Sequence, residues 1–562
     1  MSTHSSEKDK AYGAMHKTNS PVDEKAPAPV LRAAASEITT WSLLLGLAIC
    51  MGGFLFGYDI GVISGCLVMP DFVRRFGGVY VARDNRLELP DDISSLITAT
   101  LSVGTFVGAL AQAPVSDRWG RKVSMIIWAF FFLAGAVVQT AASTHVEQLY
   151  AGRVLAGLGV GALSGLCPLY LSETAPKAVR GLMISCYQFM IILGICVSYG
   201  ITWASNNRNE DQVGWRVPIG FQIFFAVALI ALMLPLPESP RWLLQRERDD
   251  DCRRVMANMR GLTLDNTAAG LRGSPAMEQD FEDMAEGIRA EADAFAGTNF
   301  FTAYALCFSR KNQMWRRTGT AMLMQLLQQL NGQNFYYYYG PIFFSRANVA
   351  LQPLQIQFIF GIVSLICTIP ALYLIERIGR RKMLITGAIV EGSCAFIVAF
   401  LGRYALAPTG VTPNSSQLAS GRAFIAAAVI HLAGFSMTWG PVPWALCGEL
   451  FPQHLRAKSI SLASATNWLW NFLLSFFSNK VASKYGTFIM LIFGSILFTA
   501  AIIVFLIVPE LKGLTLEQVD EMFEDRSIKP WNSGKWMPTT GAQNRDTLSG
   551  LPWQKKKNHS EL

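Results

Sequence analysis

Ionisable side chains are rare inside the long apolar segments of this 562-residue chain, and two of them could carry chemistry. Asp59 lies in the middle of one apolar segment, and Arg153 is the only cation that we assign to the interior of another. A charge inside a membrane is costly and marks a functional position by default, with its partner close by. The pair therefore predicts a carboxylate that binds and releases a proton opposite a fixed positive charge.

A charged hairpin occurs twice between apolar segments, as Asp117–Lys122 and again as Glu376–Arg381. Both copies hold an acid, a turn glycine and several cations at the same spacing. Two further motifs repeat in the same order along the chain, which predicts two similar halves related by an axis along the membrane normal, as in transporters whose halves rock against each other. These motifs are Glu173/Pro176/Arg180 with Glu449/Pro452/Arg456, and Pro237-Glu238 with Pro509-Glu510.

The elements that must position these residues are membrane-spanning helices. The chain is 51% hydrophobic and 16% charged, against roughly 25% charged residues in soluble domains. An apolar run of about 18 residues or more is long enough to span a bilayer. The fold class predicted is an all-α membrane protein with twelve transmembrane helices in two six-helix halves. The predicted spans are 41–69, 92–114, 123–142, 147–171, 182–203, 217–235, 316–344, 355–375, 382–402, 421–447, 457–479 and 485–508.

The spans divide the chain into five parts, whose orientation follows from the distribution of Lys and Arg. Most of these cations lie on the side of the charged hairpins, which predicts that both termini are cytoplasmic. Asn414 begins a glycosylation sequon in a loop that this topology places outside. The parts are a disordered cytoplasmic tail (1–38), a first half (39–235), a cytoplasmic linker with short helices (236–315), a second half (316–510) and a cytoplasmic tail (511–562).

Other classes of function lack a signal in the sequence. The net charge is +8, but no basic stripe interleaved with aromatic residues suggests nucleic-acid binding. The glycines of Gly157–Gly161 lie within a predicted span, where small residues allow close helix packing. The ten cysteines are scattered without the spacing of a metal or redox site. The sequence predicts no catalytic residues, no cofactor and no metal; the expected partners are a solute, a proton and the lipid bilayer.

Taken in order, the motifs resemble the sugar porter family of the major facilitator superfamily over roughly residues 40–520. The segment Thr438–Pro441 resembles fungal members. The resemblance implies transport of a monosaccharide, a hexose such as glucose in the first place, by alternating access across the plasma membrane. It rests on Asp117–Lys122, Gly152-Arg153, Pro168–Pro176, Pro237–Arg241, Gln328–Asn334, Gly440–Trp444 and Pro509–Gly513.

Neutral amides make up the expected sugar site. Gln328, Gln329 and Asn334 supply donors and acceptors within one apolar span, and amides suit sugar hydroxyls, which both donate and accept hydrogen bonds. The alternative for each single amide is that it joins two helices. The resemblance adds an amide in span five, an aromatic ring after a break in span ten, and amides in span eleven. These residues are Gln188, Trp444 and Asn467, with Asn471 beside Asn467.

The hairpin charges are expected to form a cytoplasmic gate. The resemblance implies that the hairpin arginines pair with acids of the Glu173 and Glu449 type while the transporter is open outwards. The alternative is that these charges only set the topology. The expected gate consists of Asp117, Arg118, Arg121, Glu173, Arg180, Glu376, Arg377, Arg380, Glu449 and Arg456.

Proton coupling rests on Asp59. The resemblance implies symport, because proton-coupled sugar porters carry an acid at this position opposite the arginine at Arg153. A facilitative hexose uniporter, a polyol or disaccharide carrier and a transporter-like sugar sensor stay open as alternatives. Ser364 and Ser436 replace side chains that hexose porters usually carry there, so the particular sugar is not assigned. Glu391 and His431 are expected to make structural hydrogen bonds.

Overall fold

The computed structural model is built almost entirely of long helices, joined by short turns and one longer linker. Each element is numbered in chain order below. The structure describes residues 39–81, 86–174, 180–206, 211–267, 270–294, 300–347, 349, 351–407, 413–514, 516–525 and 528–537. The predicted tail 1–38 lies outside this part of the chain, and so do residues 538–562 of the predicted tail 511–562.

The first half contains six long helices. A short helix and a two-stranded β-hairpin lie between the first two of them. The sharp turn between two of the long helices is made by Gly120, whose φ of 95° favours glycine. The elements are α1 (Thr40–Cys66), α2 (Pro70–Arg75), β1 (Val79–Val81), β2 (Arg86–Glu88), α3 (Asp91–Trp119), α4 (Arg121–Thr140), α5 (Val146–Thr174), α6 (Arg180–Ser205) and α7 (Gln212–Met233). The strands β1 and β2 pair antiparallel.

The linker forms a small helical structure with its own buried side chains. Cys252, Met256, Met259 and Met277 are each at most 5% exposed. Arg253 and Glu278 join two of its helices with an Nε–Oε2 distance of 3.2 Å. Its elements are α8 (Pro240–Gln245), α9 (Asp249–Arg260), β3 (Asp265–Thr267), β4 (Gly270–Arg272), α10 (Pro275–Ala294) and α11 (Phe300–Leu306).

The second half repeats the first with two broken helices. Gly379, with φ 97°, makes the turn that matches Gly120. The elements are α12 (Met314–Gln329), α13 (Gln333–Arg346), α14 (Pro353–Ile378), α15 (Arg380–Tyr404), α16 (Ser415–Met437), α17 (Val442–Glu449), α18 (Gln453–Tyr485), α19 (Ile489–Ile507) and α20 (Leu516–Glu524).

Span seven, predicted at 316–344, is two helices rather than one. Helix α12 ends at Gln329, and Gly332 adopts φ 93° before α13 begins. The Asn331 side chain caps the new helix, because its Oδ1 accepts from the Gln333 N–H at 2.9 Å. Span ten is also broken, after Met437, but without a left-handed residue, and a 3₁₀ turn over Gly486–Phe488 joins spans eleven and twelve. Ten helical segments of the described residues are long and apolar enough to cross a membrane, and the last of them, Lys458–Ile507, contains spans eleven and twelve. The two parts of the broken span seven, of 16 and 14 residues, are each too short to be among the ten.

The same pairs of spans pack in both halves, as the internal repeat predicts. In the first half α1 packs on α6 and α4 on α7; in the second half α12 packs on α18 and α15 on α19. Between the halves, α3 contacts α18 and α6 contacts α14. These two contacts exchange places under the two-fold axis. The twelve-span major facilitator fold is therefore confirmed, with its central axis running between α3, α18, α6 and α14.

Candidate functional site

Asp59 and Arg153 meet inside the first half, as the sequence predicts. Arg153 Nη1 donates to Asp59 Oδ1 at 3.3 Å, and neither side chain is exposed to solvent. The Arg153 Nε group also donates to the Ile97 carbonyl oxygen at 3.2 Å, which fixes the guanidinium against α3. A third residue, Gln222 of α7, donates from Nε2 to the same Asp59 oxygen at 3.1 Å. The carboxylate is thus held by spans four and six from its position in span one.

The two oxygens of Asp59 are in different surroundings. Oδ1 accepts both hydrogen bonds, whereas Oδ2 has no hydrogen-bond partner among the described residues. A buried carboxylate oxygen without a partner is unfavourable. Protonation of Oδ2 would remove the negative charge while Oδ1 keeps its neighbours. Gln222 was not predicted from the sequence, although a lone amide in the apolar span six is, like Asp59, a polar side chain in an apolar setting.

One group of amides lies at the break in span seven. Gln329 Oε1 accepts from Asn334 Nδ2 across the break and from Asn471 Nδ2 of α18 at 3.0 Å. Gln329 and Asn471 are 5% and 4% exposed. Because both acceptor positions of Gln329 Oε1 are occupied, its Nε2 is the group left to donate. The break therefore presents an ordered amide whose free chemistry is donation.

A second group of amides is engaged with the protein. Gln328 Nε2 donates to the carbonyl oxygens of Trp439 and Gly440, each at 2.9 Å, where span ten is broken. Asn467 Nδ2 donates to Gln328 Oε1 at 2.8 Å and to Gln325 Oε1 at 2.7 Å. These bonds satisfy backbone groups that the break leaves without helical partners. Gln328 and Asn467 thus join spans seven, ten and eleven, and Gln325 is a member of the network that the sequence analysis missed.

The two remaining predicted sugar residues lie on other helices. Gln188 is half-buried on α6, and Trp444 is 38% exposed in the short helix α17. No contact described in the structure joins either side chain to the Gln329 group. Their place in the sugar site stays a prediction.

The hairpin of the first half is organised around Arg121. Its Nε and Nη2 donate to the two carboxylate oxygens of Glu173 at 3.0 and 3.2 Å, and its Nη1 donates to Asp117 at 3.1 Å. Ser239 donates to Glu173 at 2.5 Å. Glu238 accepts from the backbone N–H groups of Arg121 and Lys122 and so caps the first turn of α4. A Cβ at Gly120 would lie 2.2 Å from Glu238 Oε2, so only glycine fits this turn.

The hairpin of the second half repeats this arrangement. Arg380 donates to both oxygens of Glu449, with a shortest distance of 2.6 Å, and to Glu376, also at 2.6 Å. Glu510 accepts from the backbone N–H groups of Arg380 and Arg381. A Cβ at Gly379 would lie 2.5 Å from Glu510 Oε2. The predicted pairing of the hairpin arginines with the acids is therefore present, and in both copies it lies within one half.

Arg118 and Arg377 lie outside these two clusters in the described structure. Arg118 is exposed and stacks on the Trp119 ring, and Arg377 is exposed and donates to the Tyr373 hydroxyl. The side chain of Arg180 lies outside the described residues. Arg456 is half-buried in the first turn of α18. The predicted gate residues thus include two separate clusters, centred on Arg121 and Arg380, and their gating role stays a prediction.

The opposite ends of the spans carry charged contacts that join the halves. Arg346, at the end of α13, donates to Glu88 at 3.0 Å and to Asp91 at 3.3 Å, both in the first half. Asn479 of α18 donates to Asp91 and to Ser94. Lys480 pairs with Asp92 at 2.5 Å. We call these seven residues the outer cluster, since they lie at the end of the spans away from the hairpins. None of these residues was predicted from the sequence.

Two ionisable residues of the second half make structural hydrogen bonds. Thr438 Oγ1 donates to Glu391 Oε1 at 3.1 Å, and the His431 ring lies with Nδ1 3.0 Å from the Glu391 carbonyl oxygen. Both residues are fully buried. The threonine belongs to the break in span ten, so Glu391 holds that break against α15.

The predicted sequon at Asn414 lies at the exposed N-cap of α16, where Oδ1 accepts from the Gln417 N–H at 2.8 Å. A glycan would use Nδ2 instead.

The fold and the buried residues of the membrane interior are those of a multi-pass transporter of the major facilitator fold. Residues 45–523 match the family model described as "Sugar (and other) transporter", and the chain belongs to this sugar transporter family. It is 33% identical over 541 residues to the galactose transporter of Saccharomyces cerevisiae, which covers 95% of this chain and 90% of that protein.

A second relative and a solved structure agree with this assignment. The low-affinity glucose transporter HXT3 of the same yeast is 34% identical over 492 residues, covering 88% of this chain and 83% of that protein. The solved structure of the proton:xylose symporter XylE, from E. coli, has a TM-score of 0.67 at 24% identity and covers 86% of this chain and 99% of XylE. At that identity the structure supports the fold alone.

Proposed function

We propose that this protein carries a monosaccharide, a hexose in the first place, through the plasma membrane together with a proton, with both termini in the cytoplasm. The single observation that carries the coupling is the buried Asp59–Arg153 pair, whose Asp59 Oδ2 has no partner among the described residues. The yeast relatives named as galactose and glucose transporters support the hexose class. The name of XylE as a proton:xylose symporter supports coupling by analogy.

The proposed sugar site is centred on the break in span seven. Gln329 and Asn334 offer amide groups to the hydroxyls, and the ring of Trp444 offers an apolar face to the C–H surface of the sugar. Gln188 contributes an amide from the first half. Gln328 and Asn467 keep the site in shape, because most of their hydrogen-bonding groups already bind the protein.

The proposed coupling uses the two unlike oxygens of Asp59. A proton on Oδ2 makes the side chain neutral, which weakens the attraction to Arg153 and lets span one move relative to span four. When the pair forms again, the positive charge of Arg153 favours release of the proton. Gln222 holds Oδ1 in both protonation states, so the carboxyl group stays bound to span six while its distance to Arg153 changes.

Uptake of a labelled hexose tests the coupling directly. We expect that a protonophore abolishes accumulation against a gradient in the wild type. Asp59→Asn, which mimics the protonated acid, should lose accumulation while it retains downhill exchange. Glu391→Gln is the matched control, since it removes a buried carboxylate from the other half, and it should still accumulate sugar. If wild-type uptake ignores both protonophore and external pH, the protein is a facilitative hexose uniporter.

Sugar binding tests the amide site separately. Gln329→Ala and Asn334→Ala should each weaken sugar binding by about 10-fold or more, since each leaves polar groups unsatisfied at about 1–3 kcal/mol. The measurement is sugar-dependent fluorescence or calorimetry on purified protein. Unchanged affinity in both variants, at equal folding, would remove these amides from the site.

A further inference from the structure

One hydrogen bond at the centre of the molecule joins the two halves directly beside the amide group of span seven. Ser102 of α3 donates from its hydroxyl to Asn471 Oδ1 of α18 at 2.7 Å. Ser102 and Asn471 are 1% and 4% exposed. Since α3 and α18 belong to different halves, this bond exists only when the halves meet at their centre.

Asn471 links Ser102 to Gln329 by hydrogen bonds. Its Oδ1 accepts from Ser102 and from the Tyr338 hydroxyl at 3.2 Å, and its Nδ2 donates to Gln329 Oε1 at 3.0 Å. An amide whose oxygen accepts two hydrogen bonds is fixed with its nitrogen on the other side. The orientation of Asn471 therefore determines which atom of Gln329 is engaged and leaves the Gln329 Nε2 donor for a ligand.

The neighbouring amide, one helical turn earlier on α18, makes a useful contrast. Asn467 binds Gln325 and Gln328 within the second half, and Gln328 continues to the backbone of the break in span ten. This network receives no hydrogen bond from the first half in the described structure. Span eleven thus carries two hydrogen-bond relays. Among the described residues, the relay through Asn471 is the one that receives a hydrogen bond from the other half.

We propose that Asn471 is a positioning residue and Ser102 is its sensor in the first half, so that contact between the halves orders the sugar-binding amide Gln329. The inference rests on the proposed sugar site and adds a role to residues outside it. Its consequence is that part of the sugar-binding energy becomes available only as the halves come together. Binding energy realised late in a cycle drives the conformational step rather than the first encounter.

A double-mutant cycle on sugar affinity tests the proposal, because Ser102 and Gln329 are joined through Asn471. Ser102→Ala alone should weaken sugar binding by about 3- to 10-fold, the range expected for one hydrogen bond. In the Gln329→Ala background the same substitution should change affinity by less than about 2-fold. Ser102→Thr, which retains a hydroxyl, should recover affinity.

Two controls distinguish the loss of this relay from a general loss of sugar affinity. Thr105→Val removes a buried hydroxyl that bonds to its own helix, to the Ser102 carbonyl oxygen at 2.8 Å, and should leave affinity unchanged. The cycle between Ser102→Ala and Gln328→Ala should be additive, since Gln328 belongs to the other relay. If Gln329→Ala weakens binding but its effect adds fully to that of Ser102→Ala, the relay is wrong and the sugar site stands. If Gln329→Ala has no effect at all, the proposed sugar site itself is wrong.

Discussion

The two ends of the spans use charge in opposite ways. At the hairpin end, Arg121 and Arg380 bind acids of their own half, and both guanidinium groups are almost fully buried. At the other end, Arg346 and Lys480 of the second half bind acids of the first half and are partly exposed. Contacts within a half make it rigid. Contacts between halves must break whenever that end opens, so the outer cluster is suited to gating and the hairpin clusters to keeping each half intact.

The largest effect is expected from the buried hairpin arginines. Arg121→Ala or Arg380→Ala leaves a carboxylate cluster without its cation, and breaking a buried pair costs about 3–5 kcal/mol. We expect the apparent melting temperature of the purified protein to fall by roughly 10 °C. Thermal unfolding monitored by fluorescence measures this.

The same hairpins provide matched controls for that prediction. Arg118→Ala and Arg377→Ala each remove an exposed cation that lies three residues before the buried arginine of the same hairpin. Each of these cations stacks on an aromatic ring of its own helix. Melting should change little, because exposed charges contribute at most about 1 kcal/mol. A melting temperature that falls equally in all four variants would mean that the hairpins need net charge rather than the specific pairs.

An intermediate effect is expected from Arg346. Arg346→Ala removes two ion pairs and a hydrogen bond to Ser483, all at the outer end. Two of these contacts join the halves. We expect the population open at that end to rise by about 10-fold, with little change in melting. A cysteine placed at the buried Ser95 and labelled with an impermeant maleimide reports this opening.

The control for Arg346 is another cation at the same end. Arg403 stacks on Phe488 within the second half, so Arg403→Ala should leave the labelling rate at Ser95→Cys unchanged. Equal labelling in wild type and Arg346→Ala would show that apolar packing between α3 and α18, rather than the outer cluster, closes this end.

The smallest effect is expected from the pair Lys480–Asp92, whose acid side chain is 78% exposed. Lys480→Asp should increase Ser95→Cys labelling by less than about 5-fold, since an exposed pair contributes at most about 1 kcal/mol. Exchange of the charges in Lys480→Asp/Asp92→Lys should restore the wild-type rate at low salt. A restored rate that persists at high ionic strength would exclude an electrostatic origin, because salt screens exposed pairs.

How far the sequence predicts the site depends on the kind of signal. Asp59, Arg121 and Arg380 could be found because a charge in an apolar setting, or a repeated motif, identifies a residue without knowledge of its neighbours. Gln222 carried the same type of signal and was missed. Arg346 and Glu88 could not be found in this way, since one is an ordinary charge at the end of a helix and the other at the end of a strand, and only the fold brings them together.

The fold shows a similar limit. The positions of the spans followed from apolar length, but hydropathy is averaged over many residues and does not respond to a single bend. The break at Gly332 depends on one left-handed residue and on a cap from Asn331. The role of Ser102 could not be predicted either, because a serine within a helix shows nothing distinctive in the sequence until its partner helix is known.

The break in span seven has a mechanical consequence. Helix α13 has 14 residues and is therefore about 21 Å long at 1.5 Å per residue. With the bend at its base, a tilt of about 10° would move its tip by about 3.6 Å, by the geometry of a rod of that length. The tip carries Arg346, whereas Gln329 and Asn334 flank the bend. The helix thus acts as a lever whose pivot lies where the sugar is expected to bind and whose long arm ends at the outer cluster.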